Sequence, residues 1–286
     1  MEKEWEQLGE ITGNFGISAT VIDDENNIYV EGFVTDTVKI GEQYFTAKQS
    51  CFKSVVMKFD PQGNILWATD TINKENYNHG YITKIAIDTK GNLYIAANRH
   101  NNYESFLSKI NPYGKMEWQV RANYYNGYSQ HYSYFFEDIA VDENDNVYFA
   151  GQGYITTFSS KDDKTYTLDA RFFVGSYDSE GKMRFLRAAG GAGSDSRCRS
   201  IAILEDNLFV LARYEGTIRF KSNTFHKMGG SRDTNFNAWF AKYSKYDLRM
   251  VLNMEQENDK EQANDIEQID NKKQKTKKSK TKKTKL

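Results

Sequence analysis

One pattern recurs four times in this chain, and it constrains the fold more than any other feature. Ile17 to Val30 reads ISATVIDDENNIYV, Ile82 to Ile95 reads ITKIAIDTKGNLYI, Phe136 to Phe149 reads FEDIAVDENDNVYF, and Ser200 to Val210 reads SIAILEDNLFV. Each copy opens with alternating apolar residues. A polar turn follows, led by Asp23, Asp88 or Asp142 in the first three copies. Then come Asn27, Asn92, Asn146 or Asn207 and an apolar-aromatic pair. A period of two broken by a polar turn is the mark of a β-hairpin. Self-similarity at a fixed spacing is the mark of a repeat architecture.

A second hairpin follows each of the first. Its copies are VVMKFDPQGNILWA (Val55 to Ala68), FLSKINPYGKMEWQ (Phe106 to Gln119), FVGSYDSEGKMRFL (Phe173 to Leu186) and, with an altered turn, FAKYSKYDLRMVL (Phe240 to Leu252). Pro61 with Gly63, Pro112 with Gly114, and Gly181 sit where tight turns require a fixed or a positive φ. Two hairpins give a module of four antiparallel strands, a to d. Extra residues between b and c, Thr37 to Ala47, Ile155 to Leu168 and Thr217 to Met228, read as small inserted hairpins, and the second module lacks one. Four-stranded units repeated along a chain predict an all-β fold, a β-propeller of about four antiparallel blades, incomplete or open if the ring is not closed. The modules span approximately 17–70, 82–122, 136–190 and 199–253. The stretch EWEQLGEI (Glu4 to Ile11) resembles a d strand with no partners before it. It would close a ring or mark a fragment of a longer array, and an open arc would complete itself by self-association.

Composition agrees with sheet: 20 glycines, 2 prolines and 14% aromatics in 286 residues. No apolar run approaches the roughly 20 residues of a spanning helix, and the first residues do not read as an export signal. Two cysteines, Cys51 and Cys198, are too few for a disulfide scaffold or a zinc site. Beyond Asn253 the repeat ends. Met254 to Asp270 carries a net charge of −6, and Lys272 to Lys285 holds nine lysines and no acid. Such blocks bury no apolar area, so 254–286 is expected to be a disordered, acidic then lysine-rich tail. The body, 1–253, is left mildly acidic at −4.

The run from Gly32 to Ala68, with DENDNVYFAG (Asp142 to Gly151) and FAKYS (Phe240 to Ser244), resembles the bacterial β-propeller repeats of the SBBP type. These join an Asp-x-x-x-Asn-x-Tyr hairpin to a later one with a Lys-aromatic-Asp-x-x-Gly core. Ser176 departs from the pattern where Lys is usual, and the fourth turn lacks its Gly. The resemblance implies a bacterial propeller, often exported or surface-associated, and assigns no catalytic residue.

In a propeller the d–a and b–c connections share one face. That face would gather Tyr77, His79, Arg99, His100, Tyr124, Tyr125, His131 and Arg197, aromatic faces beside polar donors, as a shallow surface for a protein or glycan. The Asp142, Asn144, Asn146 spacing imitates a calcium loop, but Val147 and Gly153 occupy its required Gly and Glu positions, so a backbone-bonded turn is expected. No metal or other cofactor is expected: the four histidines fall singly and no nucleophile or phosphate-loop motif is complete. The sequence therefore reads as a non-enzymatic binding or scaffold module. The alternatives are a hydrolase- or lyase-type enzyme with a central-funnel site, or an adaptor whose lysine tail binds nucleic acid or anionic lipid.

Overall fold

A computed structural model describes residues 11–47, 52–71, 80–99, 104–124, 136–153, 155–169, 172–189, 197–214, 217–220, 223–226 and 237–245. The chain divides into two parts, Met1–Lys242 and Tyr243–Leu286. The charged segment 254–286 lies outside the described residues.

Every described element is a strand. After the short β1 (Ile11–Thr12), module one comprises β2 (Phe15–Ile22), β3 (Ile28–Val34), the hairpin β4 (Thr37–Ile40) and β5 (Gln43–Thr46), β6 (Lys53–Phe59) and β7 (Ile65–Asp70). Module two comprises β8 (Gly80–Ile87), β9 (Leu93–Arg99), β10 (Glu104–Ile110) and β11 (Met116–Tyr124). Module three comprises β12 (Phe136–Val141), β13 (Val147–Gln152), the hairpin β14 (Ile155–Ser159) and β15 (Thr165–Asp169), β16 (Phe172–Tyr177) and β17 (Met183–Ala189). Module four comprises β18 (Arg197–Leu204), β19 (Asn207–Tyr214), the hairpin β20 (Thr217–Phe220) and β21 (Asn223–His226), and β22 (Asn237–Ser244).

Modules one and three form antiparallel sheets in the order a-b-c-d, and module four shows a-b-c among the described residues. Module two differs from the four-stranded expectation, because its sheet has six strands, β8-β9-β10-β11-β14-β15. The inserted hairpin of module three reaches back and pairs with the outer strand of module two, Ala122 opposite Phe158 and Tyr124 opposite Thr156. It thereby covers an edge that would otherwise present unpaired N–H and C=O groups. The β4–β5 hairpin does the same to β1, with Ile11 opposite Ile40. The two residues of β1 therefore stand to module one's insert as the end of β11 stands to module three's.

Local chemistry explains the hairpins. Asp23 Oδ1 accepts the N–H groups of Glu25 (3.0 Å) and Asn27 (2.8 Å), while Asn27 Nδ2 donates to Asp23 Oδ2 (2.8 Å). Asp88 and Asp142 hold their turns in the same way. The residue before each Asn has positive φ, and Asn26, Gly91 and Asp145 tolerate that region. The Asp142 carboxylate thus accepts from the backbone of its own turn and from Asn146 and Tyr148, while Asp145 reaches Thr89 and Lys90 of module two.

The turns also tie modules together. Tyr29 Oη donates to Gly91 O in the next module (3.2 Å) and Tyr94 Oη to Asp145 O in the one after (3.1 Å). On the outer strands, Trp67 Nε1 donates to Pro112 O (2.8 Å) and Trp118 Nε1 to Ser179 O (3.0 Å). Gly114 and Gly181 press against these two indoles with φ of 80° and 83°. A Cβ at Gly114 would lie 2.9 Å from Trp67. The buried cores follow this stacking. One joins Tyr29 and Val56 to Leu93, Ile95, Ala97 and Ile110, and the largest joins Tyr94 and Trp118 of module two to Phe149, Phe173 and Tyr177 of module three.

A cation lies over the second-strand aromatic of every module: Lys58 over Tyr29, Lys109 over Tyr94, Arg184 over Tyr148 and Lys242 over Phe209. Module three has Ser176 at the lysine position. Arg184 on β17 supplies the charge instead and donates to both Tyr148 Oη (3.0 Å) and Ser176 Oγ (3.1 Å).

Candidate functional site: a polar row on the first strands

The first strands lie side by side, with residues of β8 beside β2, of β12 beside β8 and of β18 beside β12. Each contains a break in register at the same place. The residues skipped are Ser18, Thr83, Glu137 and Arg199. A bulge leaves one residue unpaired and re-aims its neighbours, and bulges are over-represented beside functional sites. The residues following the bulges are Ala19, Lys84, Asp138 and Ser200.

Asp138 organises this row. Its Oδ2 accepts Ile201 N–H (2.8 Å) and Ser200 Oγ–H (2.8 Å), its Oδ1 accepts Ile139 N–H (3.1 Å), and Lys84 Nζ stands 3.7 Å away. One buried carboxylate therefore bridges modules two, three and four. Asn98 makes a second bridge, donating to Phe136 O (3.1 Å) and accepting Phe136 N–H (3.3 Å). Lys84, Arg199 and Ser200 remain exposed to solvent, whereas Glu137 is half-buried.

Two further titratable groups border the row. Burial, with the negative charges of Asp138 and Glu137 beside it, pushes the Cys198 thiol well above its usual range. It is a protonated, buried group. Glu31, opposite Ala19 on β3, is fully buried and neither of its oxygens has a hydrogen-bond partner. Burial raises its carboxyl to about 8, with the nearby Ser18 hydroxyl pulling the other way. The first three second-strand copies read YVE, YIA and YFA, so the one charged residue was visible in the sequence and was passed over. Lys84 and Asp138 were also missed, since nothing local in a sequence marks a bulge.

Of the residues expected at the rim, Arg99 ends β9 opposite Gly80 and Glu104, Tyr124 ends β11 opposite Thr156, and Arg197 opens β18 opposite Arg213. The register places all three backbones at the end of their sheets where the first strands begin, the end that carries the bulges. Tyr77, His79, His100, Tyr125 and His131 lie outside the described residues. Among the described residues no three His, Cys, Asp or Glu side chains gather as a metal site would require.

No family model and no curated protein matches the chain. Among solved structures, a protein of unknown function from Bacteroides caccae is similar at 9% identity and a TM-score of 0.34, over 68% of this chain and 70% of that one. The polysaccharide lyase Uly1 is similar at 11% identity and a TM-score of 0.35, over 78% of this chain. This chain spans 48% of that lyase's length. At scores this low neither likeness bears on chemistry.

Proposed function

We propose that the four modules are blades of a β-propeller of the SBBP type and that the protein is a binding module, taking a protein or glycan ligand on the rim where the first strands begin. The observation that carries this reading is the recurrence of one bulge at one position in all four first strands, which lines up Lys84, Asp138, Arg199 and Ser200. Conserving a kink through four otherwise divergent copies keeps a surface, since a regular hairpin would serve packing equally well. The reactive groups near the rim favour binding over catalysis. Asp138 is occupied by three donors from its own and the next first strand, Glu31 is sealed from solvent, and Cys198 holds its proton. Exposed cations and hydroxyls at the end of a rigid sheet can anchor a polar ligand without transforming it.

The test is capture on glycan and peptide arrays by the full chain and by a Lys84→Ala, Arg199→Ala double variant. Loss of the two cations is expected to weaken capture by about tenfold or more while the variant still unfolds cooperatively, its melting temperature lowered only by the lost Lys84–Asp138 contact. Equal capture by the variant would move the ligand off this rim.

A further inference from the structure

The opposite end of modules two and three carries an open cleft of 680 Å³. Three turns wall it: Asn111–Lys115 between β10 and β11, Asp178–Lys182 between β16 and β17, and Ser160–Lys164 at the tip of the inserted hairpin. Each turn is fixed. Lys161 N donates to Gly181 O (3.0 Å), Met183 N to Ser160 Oγ (3.0 Å), and Tyr177 Oη to Ser159 O (2.8 Å). The floor is fixed too, because Trp118 Nε1 and Lys109 Nζ both donate to Ser179 O, at 3.0 and 3.2 Å. Modules one and two meet through the same indole-to-turn bond, but module two has no inserted hairpin and so supplies no third wall.

The three turns are balanced in charge, with Asp162, Asp163, Asp178 and Glu180 against Lys115, Lys161, Lys164 and Lys182, but the side chains that line the recess itself are net positive. Lys109, Lys115, Lys161 and Lys182 line the cleft, against Glu117 and Glu180. Lys109 is buried and held by Glu117 at 3.0 Å. Lys182 pairs with Glu180, but both side chains are at least half exposed, and such a pair contributes little and exchanges readily. Lys115 and Lys161 are exposed and form no ion pair among the described residues. Cations projecting from separate rigid turns into one recess of this size match the general scale of small-molecule sites, roughly 300–1,000 Å³.

We infer that this cleft binds a small molecule bearing two negative groups on a polar body, with Lys115 and Lys161 taking the anionic ends and Lys182 turning from Glu180 to join them. This site is separate from the rim proposed above and stands without it. The negative groups are carboxylates or phosphates, and the probes distinguish the two. The full chain is titrated calorimetrically with digalacturonate, with inorganic pyrophosphate and with neutral maltose. Saturable binding of either anion, with none of maltose, is expected, and whichever anion binds identifies the group. A Lys115→Ala, Lys161→Ala variant should bind at least about tenfold more weakly, a single Lys161→Gln should fall between, and Lys39→Ala in module one should bind as the parent does. Absence of saturation by both anions would overturn the inference, as would equal affinity in the double variant.

Discussion

Glu31 shows how one residue can set the pH response of a whole sheet. Its carboxyl is shifted up to about 8 because ionising it would place a charge in a buried site opposite Val56 and Ala19, a cost that the Ser18 hydroxyl offsets only in part. In the unfolded chain a glutamate titrates near 4.3. Between those two values the folded state holds a proton that the unfolded state has released, so stability falls as pH rises through this window and levels off above it. The full effect is roughly 5 kcal/mol at most. Denaturant unfolding at pH 5, 7 and 9 should show this decline in the parent and a much flatter profile in Glu31→Gln. A Glu31→Gln profile as steep as the parent's would place the dependence on other groups. Glycines offer a second residue-scale check. Gly114 and Gly41 both have positive φ, 80° and 57°, but a Cβ at Gly41 meets nothing within 4 Å whereas one at Gly114 strikes the Trp67 indole. Ala at Gly41 should therefore cost about 1 kcal/mol from backbone strain alone. Ala at Gly114 should cost about 2–3 kcal/mol by the same unfolding measurement.

At the scale of elements, the sequence made the hairpins plain. Asp-led turns, a positive-φ residue before Asn and alternating apolar positions are local signals, and each has a local cause in the bonds of Asp23, Asp88 and Asp142. The small hairpins between second and third strands were legible for the same reason. Their partners were not. That β14 pairs with β11 of the preceding module depends on where two modules come to rest, and a strand edge carries no address in its own residues. The same holds for the bulges at Ser18, Thr83, Glu137 and Arg199, and hence for the row containing Lys84 and Asp138. Deleting the β14–β15 hairpin, with its flanks joined by a short Gly-Ser link, should expose the β11 edge and remove Lys161 from the cleft. Size-exclusion profiles of the deletion are expected to shift toward higher mass. A monodisperse, unshifted peak would show that the edge is protected by something else.

Over the molecule as a whole, stability should be distributed seam by seam, because each module buries its apolar faces against its neighbours. The seams are not equal. The indole-to-turn contact joins module one to two through Trp67 and two to three through Trp118. At the third seam both halves have changed: Phe185 stands at the tryptophan position, and the fourth module's turn, Lys245-Tyr246-Asp247, has no glycine. On the first strands the Asp138 bonds to Ser200 and Ile201 hold that seam. Native-state hydrogen exchange is therefore expected to find β18 and β19 opening at lower free energy than β9, β10 and β13. Uniform protection across the modules would refute this ranking.

The lock of indole on glycine is split between adjacent copies, one half facing forward and the other back. Module two carries both halves, Gly114 and Trp118, so an array grown by duplicating it would reproduce a complete joint at every new junction. Module four has no glycine in the corresponding turn, so a duplicate of it would lack the back half of this joint. The molecule thus contains its own rule for lengthening, and the rule is written in two residue types.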